Sequence, residues 1–388
     1  MTPRSGIKFA PPPVISTSPP TSLRARVTIT ISALFLPPDL VRARQARQAG
    51  NVSGAGVVVA VLDSGCRASH VALSMSSNVA SSRVLQGRNF TKAVPDEDTT
   101  DGTGHGTAIS GLVAARSFAP LVAPDARILP LKIFSDEENS DFSFMLDGLS
   151  WVIDHGLDQG VSVVCLSMGD SGNWPSFEAV PNDGGGIRQQ IAEKIRTLRQ
   201  LGIPTVAAAG NGFRANGVTA GTGMCFPAIM PECISVGATF NGSLAPHVFD
   251  EYGGASTTDT SKPGQLTPFT QRLPRADNNP HFTRLFAPGA PLQSIGKESD
   301  TSQTGSLYGT SVAVPVVAGV IALMQEWHKK HRNGLPSCDK LEQWLLQGAD
   351  SIVDDAGDRD NVDNTGATFS LANALGSVQA MMSDGPMA

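Results

Sequence analysis

Charge is scarce in this chain. Asp, Glu, Lys and Arg make up 16% of the 388 residues, below the roughly one quarter of an average soluble domain, and 35 acidic residues outnumber 29 basic ones. The basic footprint that would hold nucleic acid is therefore missing. Cysteine is also sparse. Cys66, Cys165, Cys225, Cys233 and Cys338 are odd in number and lie at no metal-ligand spacing, so no disulfide framework is implied and the compartment stays open. Nor is there a stretch of about 18 apolar residues, the length a membrane helix needs. Residues 27–36 (VTITISALFL) come nearest. They are interrupted by Thr and Ser, start far from Met1 and lack a small-residue cleavage site, so they are not read as a signal core. No internal repeat is found.

What the chain does have is a hydrophobic fraction of 40%, enough at this length for a substantial core in one large α/β domain with extensions. Its 40 glycines and 27 prolines imply many turns and close backbone approaches. Residues 1–38, with PPP, SPP and LPP, read as a tail or linker. From Val57 the pattern changes to short continuous apolar runs, the signature of buried parallel strands: VVVAVLD, then residues 128–133, 163–167, 203–209 and 233–238. Helical periods lie between them. Phe142, Met145, Leu149, Val152 and Ile153 share one face, as do Ile187, Ile191, Ile195 and Leu198. A longer apolar helix follows Gly309 to about His328, with further helices near residues 341–346 and 371–381. This alternation predicts a doubly wound, mostly parallel sheet with helices on both faces, spanning residues 39–378, with 379–388 as a tail. Ligand chemistry is then expected at the carboxyl ends of the strands. Residues 241–268 and 273–280 carry no apolar period and are expected to be surface insertions.

Three segments place a reactive side chain among small residues: AVLDSG with Asp63, DGTGHGT with His105, and YGTSVAVP with Ser311. A Ser at a helix start can attack a carbonyl, a His can take its proton, and an Asp can hold the imidazole tautomer. Each segment alone is as readily a turn or a loop. His70, His155, His247, His281 and His328 have no such company, and Asp101 is expected to cap or turn.

Together these residues resemble the subtilisin-type serine peptidases, the subtilases. Asp63 in VAVLDSG, His105 in GHGT, Asn211 in VAAAGNG and Ser311 in GTSVAVPVVAG match the family's signature segments in its Asp, His, Ser order. Supporting matches are Ser167, Met168 and Gly169, then Phe226-Pro227-Ala228 with ISVGA, and Ala287-Pro288-Gly289. The resemblance implies a serine endopeptidase working through an acyl-enzyme, with Asp63, His105 and Ser311 catalytic and Asn211 and the Ser311 N–H forming the oxyanion hole. It further implies an extended polypeptide substrate beside Ser167, Met168 and Gly169, with Glu138, Asn139 and Ser140 as the opposite rail and Cys225 at the floor of the primary specificity pocket. Asp136, Glu137 and Glu138 would favour basic residues upstream of the scissile bond, unless they form only a solvated acidic turn. No cofactor, metal, nucleic acid or membrane span is expected, and a monomer is. Family analogy suggests secretion, although no signal peptide is recognisable, and a chaperone-type prodomain would need more chain than precedes Asp39.

The departures are Ala108 and Val316 where the family commonly has His, and Val312 where it has Met beside the nucleophile. ARSFAPLVA after the His105 helix lacks the oxygens of the family's calcium loop. Asp354, Asp355, Asp358, Asp360 and Asp363 form either a calcium loop or, as preferred, a solvated acidic one. Cys225 and Cys233 are either paired or buried thiols. The rival functions are a catalytically silent subtilase fold that binds peptides or proteins, and a maturation peptidase dedicated to one precursor.

Overall fold

The computed structural model describes residues 41–74, 82–92, 96–117, 122–136, 141–182, 185–215, 218–219, 221–244, 246–249, 256–258, 261–355, 357 and 360–385. Among them are seven α-helices: α1 Ala43–Gly50, α2 His105–Ala114, α3 Phe142–Trp151, α4 Ile187–Gln200, α5 Thr310–Arg332, α6 Cys338–Gly348 and α7 Ala374–Ser383. The main sheet contains β1 Val58–Asp63, β2 Arg88–Asn89, β3 Arg127–Lys132, β4 Val161–Leu166, β5 Thr205–Ala208, β8 Cys233–Phe240, β11 Leu285–Ala290, β12 Asp350–Val353 and β13 Thr368–Leu371. Two small hairpins stand apart, β6 Arg214–Ala215 with β7 Val218–Thr219, and β9 His247–Phe249 with β10 Ser256–Thr258.

The sheet order is β12-β13-β11-β8-β5-β4-β1-β3-β2, parallel throughout except for edge strand β12, which runs antiparallel to β13. Both faces are covered, which is why the strands read as unbroken apolar runs. Alternate residues of β1 go to opposite cores. Val59 and Val61 pack with α2 and α5, while Val58, Ala60 and Leu62 face Met145 and Leu149 of α3 and Ile191 and Ile195 of α4. The chain lays β3 on one side of β1 and then β4 on the other, so the order reverses at β1. That reversal opens a crevice at the carboxyl ends of β1 and β4.

Helix starts follow local chemistry. Asp141 accepts from Ser143 N (2.7 Å) at α3, Ser337 from Lys340 N (3.3 Å) at α6, and Asn373 from Gly376 N (2.9 Å) at α7. Helix α5 is longer than its apolar run suggested. It is the one described helix long and apolar enough to cross a membrane, yet its apolar window is wholly buried, against β4, β5, β8 and β11 and against α2.

Three expectations are corrected. Helix α7 runs to Ser383, with Met381 buried and Asp384 accepting from Trp344 Nε1 (2.8 Å), so the fold does not end at Val378. Leu371, expected in that helix, belongs to β13. The stretches around 241–280 are not simply surface insertions: Phe249, Leu266, Thr267 and Leu273 are buried, and Phe249 packs its ring against Phe240, Phe269 and Tyr308.

Candidate active site

Every signature residue emerges at the carboxyl edge of the sheet. Asp63 is the last residue of β1, His105 the first of α2, and Ser311 the second of α5; Asn211 lies three residues beyond β5. His105 Nδ1 lies 2.8 and 2.9 Å from the two carboxylate oxygens of Asp63, and its Nε2 is 3.3 Å from Ser311 Oγ. A carboxylate only accepts, so Nδ1 carries the proton and the Nε2 lone pair faces the hydroxyl. Asp63 and Ser311 are buried and His105 nearly so. Burial by itself would lower the His105 pKa. The charge and hydrogen bond of Asp63, with the charge of Asp101, outweigh it and hold the imidazole above its ordinary value.

Asp101 is not the N-cap residue of α2, which is Gly104, but it accepts from N–H groups at that helix start and joins the two elements that carry Asp63 and His105. One oxygen accepts from Gly104 N (2.8 Å) and Ser64 Oγ (2.8 Å), the other from Thr107 N (2.8 Å) and Thr107 Oγ1 (2.6 Å). Ser64 Oγ in turn accepts from Gly106 N (2.9 Å). The end of β1 is thereby stitched to the start of α2, fixing Asp63 against His105. Burial would raise the Asp101 pKa, but these donors, led by Thr107, keep it below the usual carboxylate range.

Asn211 is oriented by a residue that sequence reading passed over. Its Oδ1 accepts from Thr310 N (2.8 Å) and Thr310 Oγ1 (2.9 Å), so Nδ2 is the group left to donate. Thr310 Oγ1 also accepts from Gly210 N (3.2 Å). The signal was present in the YGTSVAVP segment, one residue before Ser311.

Comparisons with known proteins give the family. The model of the subtilase family matches residues 54–371. The chain belongs to the subtilase family. It is 25% identical over 288 residues to the major intracellular serine protease of Bacillus subtilis (strain 168), covering 73% of this chain and 72% of that one. With the intracellular serine protease of Paenibacillus polymyxa the identity is 28% over 285 residues, 70% and 68% of the two chains. The solved structure of a cold-adapted subtilisin-like serine proteinase superposes with a TM-score of 0.56 at 23% identity, covering 84% of this chain and 91% of that one, and shares the fold.

The remaining residues of this subtilase fall as follows. Ser167, Met168 and Gly169 continue from β4 along the crevice, the first two buried and Gly169 half-buried. Cys225 is buried with Sγ donating to Ala208 O (3.0 Å), and Cys233 is likewise a free thiol, so the two are not paired. Glu138, Asn139 and Ser140 lie outside the described residues, as does Glu137. Asp136 pairs with Lys132 and accepts from Gly102 N (3.0 Å), so its charge is partly spent within the protein.

Of the segment ARSFAPLVA, residues 118–121 lie outside the described residues. At the end of α2 the buried Arg83 guanidinium donates to Ala114 O (2.7 Å), Ala126 O (2.8 Å) and Ala72 O (3.0 Å), placing a built-in cation among carbonyls. Desolvation pushes the Arg83 pKa down to about 10. Nor is the 354–363 loop simply solvated: Asp354 is buried and bidentate with Arg272 (2.8 and 3.1 Å), and no described cluster of His, Cys, Asp or Glu would hold a metal.

Proposed function

We propose that this subtilase is a serine endopeptidase that hydrolyses extended polypeptides through an acyl-enzyme. Ser311 Oγ attacks the scissile carbonyl carbon while its proton passes to His105 Nε2. Asp63 stabilises the resulting imidazolium, and the proton then goes to the leaving amine as the C–N bond breaks. A water then attacks the Ser311 ester with His105 taking its proton, and His105 returns that proton to Ser311 Oγ as the ester C–O bond breaks and the carboxylic acid product leaves. The oxyanion lies between Asn211 Nδ2 and the Ser311 N–H at the start of α5, where the helix dipole favours negative charge. The substrate pairs as an added strand with 167–169, and residues 138–140 serve as the opposite rail.

The observation that supports this most is the continuous chain from Asp63 through His105 to Ser311, with Asn211 turned to donate beside it. A fluorophosphonate probe, which phosphonylates only an activated serine, tests it. The wild type is expected to label and Ser311→Ala to stay blank. A blank wild type would favour the silent, peptide-binding reading.

A further inference from the structure

Strands β4 and β5 pair from Val164 with Thr205 to Leu166 with Ala207 and then separate past the edge of the sheet. Beyond that pairing, segments 167–170 and 208–212 are tied through intervening groups instead of to each other, and Asn211 stands in the second of them. On the peptidase reading, the gap between them is the slot for the side chain next to the scissile carbonyl. Two groups already fill it.

From the inner side enters the turn at Cys225 and Phe226. Cys225 N donates to Ala209 O (2.9 Å) and Asp170 N donates to Phe226 O (2.9 Å), so this turn is sewn to both walls. The Cys225 thiol reaches across, bonded to Ala208 O and so close to Gly169 that a Cβ there would collide with the sulfur. The other side is crossed by Gln271. Its backbone N donates to Gly210 O (2.8 Å), Oε1 accepts from Gly212 N (3.2 Å), and Nε2 donates to Gly172 O (2.9 Å) and Asn173 Oδ1 (2.7 Å). Gln271 is buried, and any Cβ at Gly210, whose φ is +111°, would strike its amide. With these bonds on both ends of the amide, swinging it away would leave buried polar groups unsatisfied.

We infer that Cys225 and Gln271 close the primary specificity slot, so that this subtilase cleaves after small residues (Gly, Ala, Ser) and rejects large aromatic ones. The inference rests on the peptidase reading above. A slot that loses even a few carbons of depth discriminates by one to two orders of magnitude, since seating a larger group requires overpacking or broken hydrogen bonds.

The test uses two peptides identical except for Ala or Phe at the residue giving the scissile carbonyl, assayed on enzyme first titrated with fluorophosphonate. The expected kcat/KM ratio favours Ala by about tenfold or more, and Cys225→Ala or Gln271→Ser shifts it toward Phe. A labelled wild type that cleaves the Phe peptide as well as the Ala peptide overturns the inference even if neither variant folds. Labelled variants with an unchanged ratio overturn the assignment to these two side chains. Enzyme that takes no label sinks the peptidase reading instead, so the two failures are distinguishable.

Discussion

At the scale of single residues, the proposed function makes His105 the group that sets the working pH. Its pKa lies above the ordinary value because Asp63 and Asp101 outweigh burial, so the acid limb of kcat/KM on a neutral peptide should have its midpoint above about 6.5. Asp101→Asn removes one raising charge and should lower that midpoint. A wild-type midpoint at or below 6.5, or one unmoved by the substitution, would contradict this balance of charge against burial. For folding the sign is different: the raised pKa adds stability that is fully present below the unfolded value and is lost as pH rises through the folded one. Val312 gives a second prediction. It lies buried next to Ser311 in the chain with no sulfur to oxidise, and the buried Cys66 thiol, within reach of the Asp63 charge, is pushed by burial up to about 12, leaving almost no thiolate. Mild peroxide should spare turnover in the wild type and reduce it in Val312→Met, with Met168→Leu as the control for the one sulfur on the substrate strand. Equal loss in wild type and Val312→Met would remove Val312 from the oxyanion site.

At the scale of elements, helix α5 carries both Ser311 and an anchor four turns further on. Glu326, almost fully buried, accepts from the backbone N–H groups of Ser53 (2.6 Å), Gly54 (2.6 Å) and Ala55 (3.0 Å) and pairs with Lys330. Truncating it leaves three donors facing an emptied site. Glu326→Ala should therefore cost about 3 kcal/mol, read as a lower urea midpoint at unchanged slope; an unmoved midpoint would show that the anchor contributes nothing. The central strands were legible because both their faces are buried and they read as unbroken apolar runs, and helix α4 because it buries one period-matched face. The 241–280 region was not, since Phe249 and Phe269 are buried by an aromatic cluster rather than by alternation along a strand. Leu371 was misassigned because a short strand leads almost directly into α7.

For the whole molecule, the residues proposed as catalytic were readable because each sits in a short run of small residues at the edge of the sheet. The walls of the specificity slot were not. Gln271 bridges segments about 60 and 100 positions away in the chain, and no local pattern marks a residue whose role is to span two distant loops. Likewise Arg272 and Asp354, 82 residues apart, meet only in the folded state and turn an apparently solvated acidic loop into a buried tie. The fold thus delivers four side chains from four separate elements to one edge, and the central claim is that they act as one unit on Ser311. The direct measurement is peptide mapping by mass spectrometry of fluorophosphonate-treated wild type beside His105→Ala. The account predicts one adduct, on Ser311, formed rapidly in the wild type and nearly abolished without His105. An adduct on another residue, or equal labelling of Ser311 in both proteins, would contradict it.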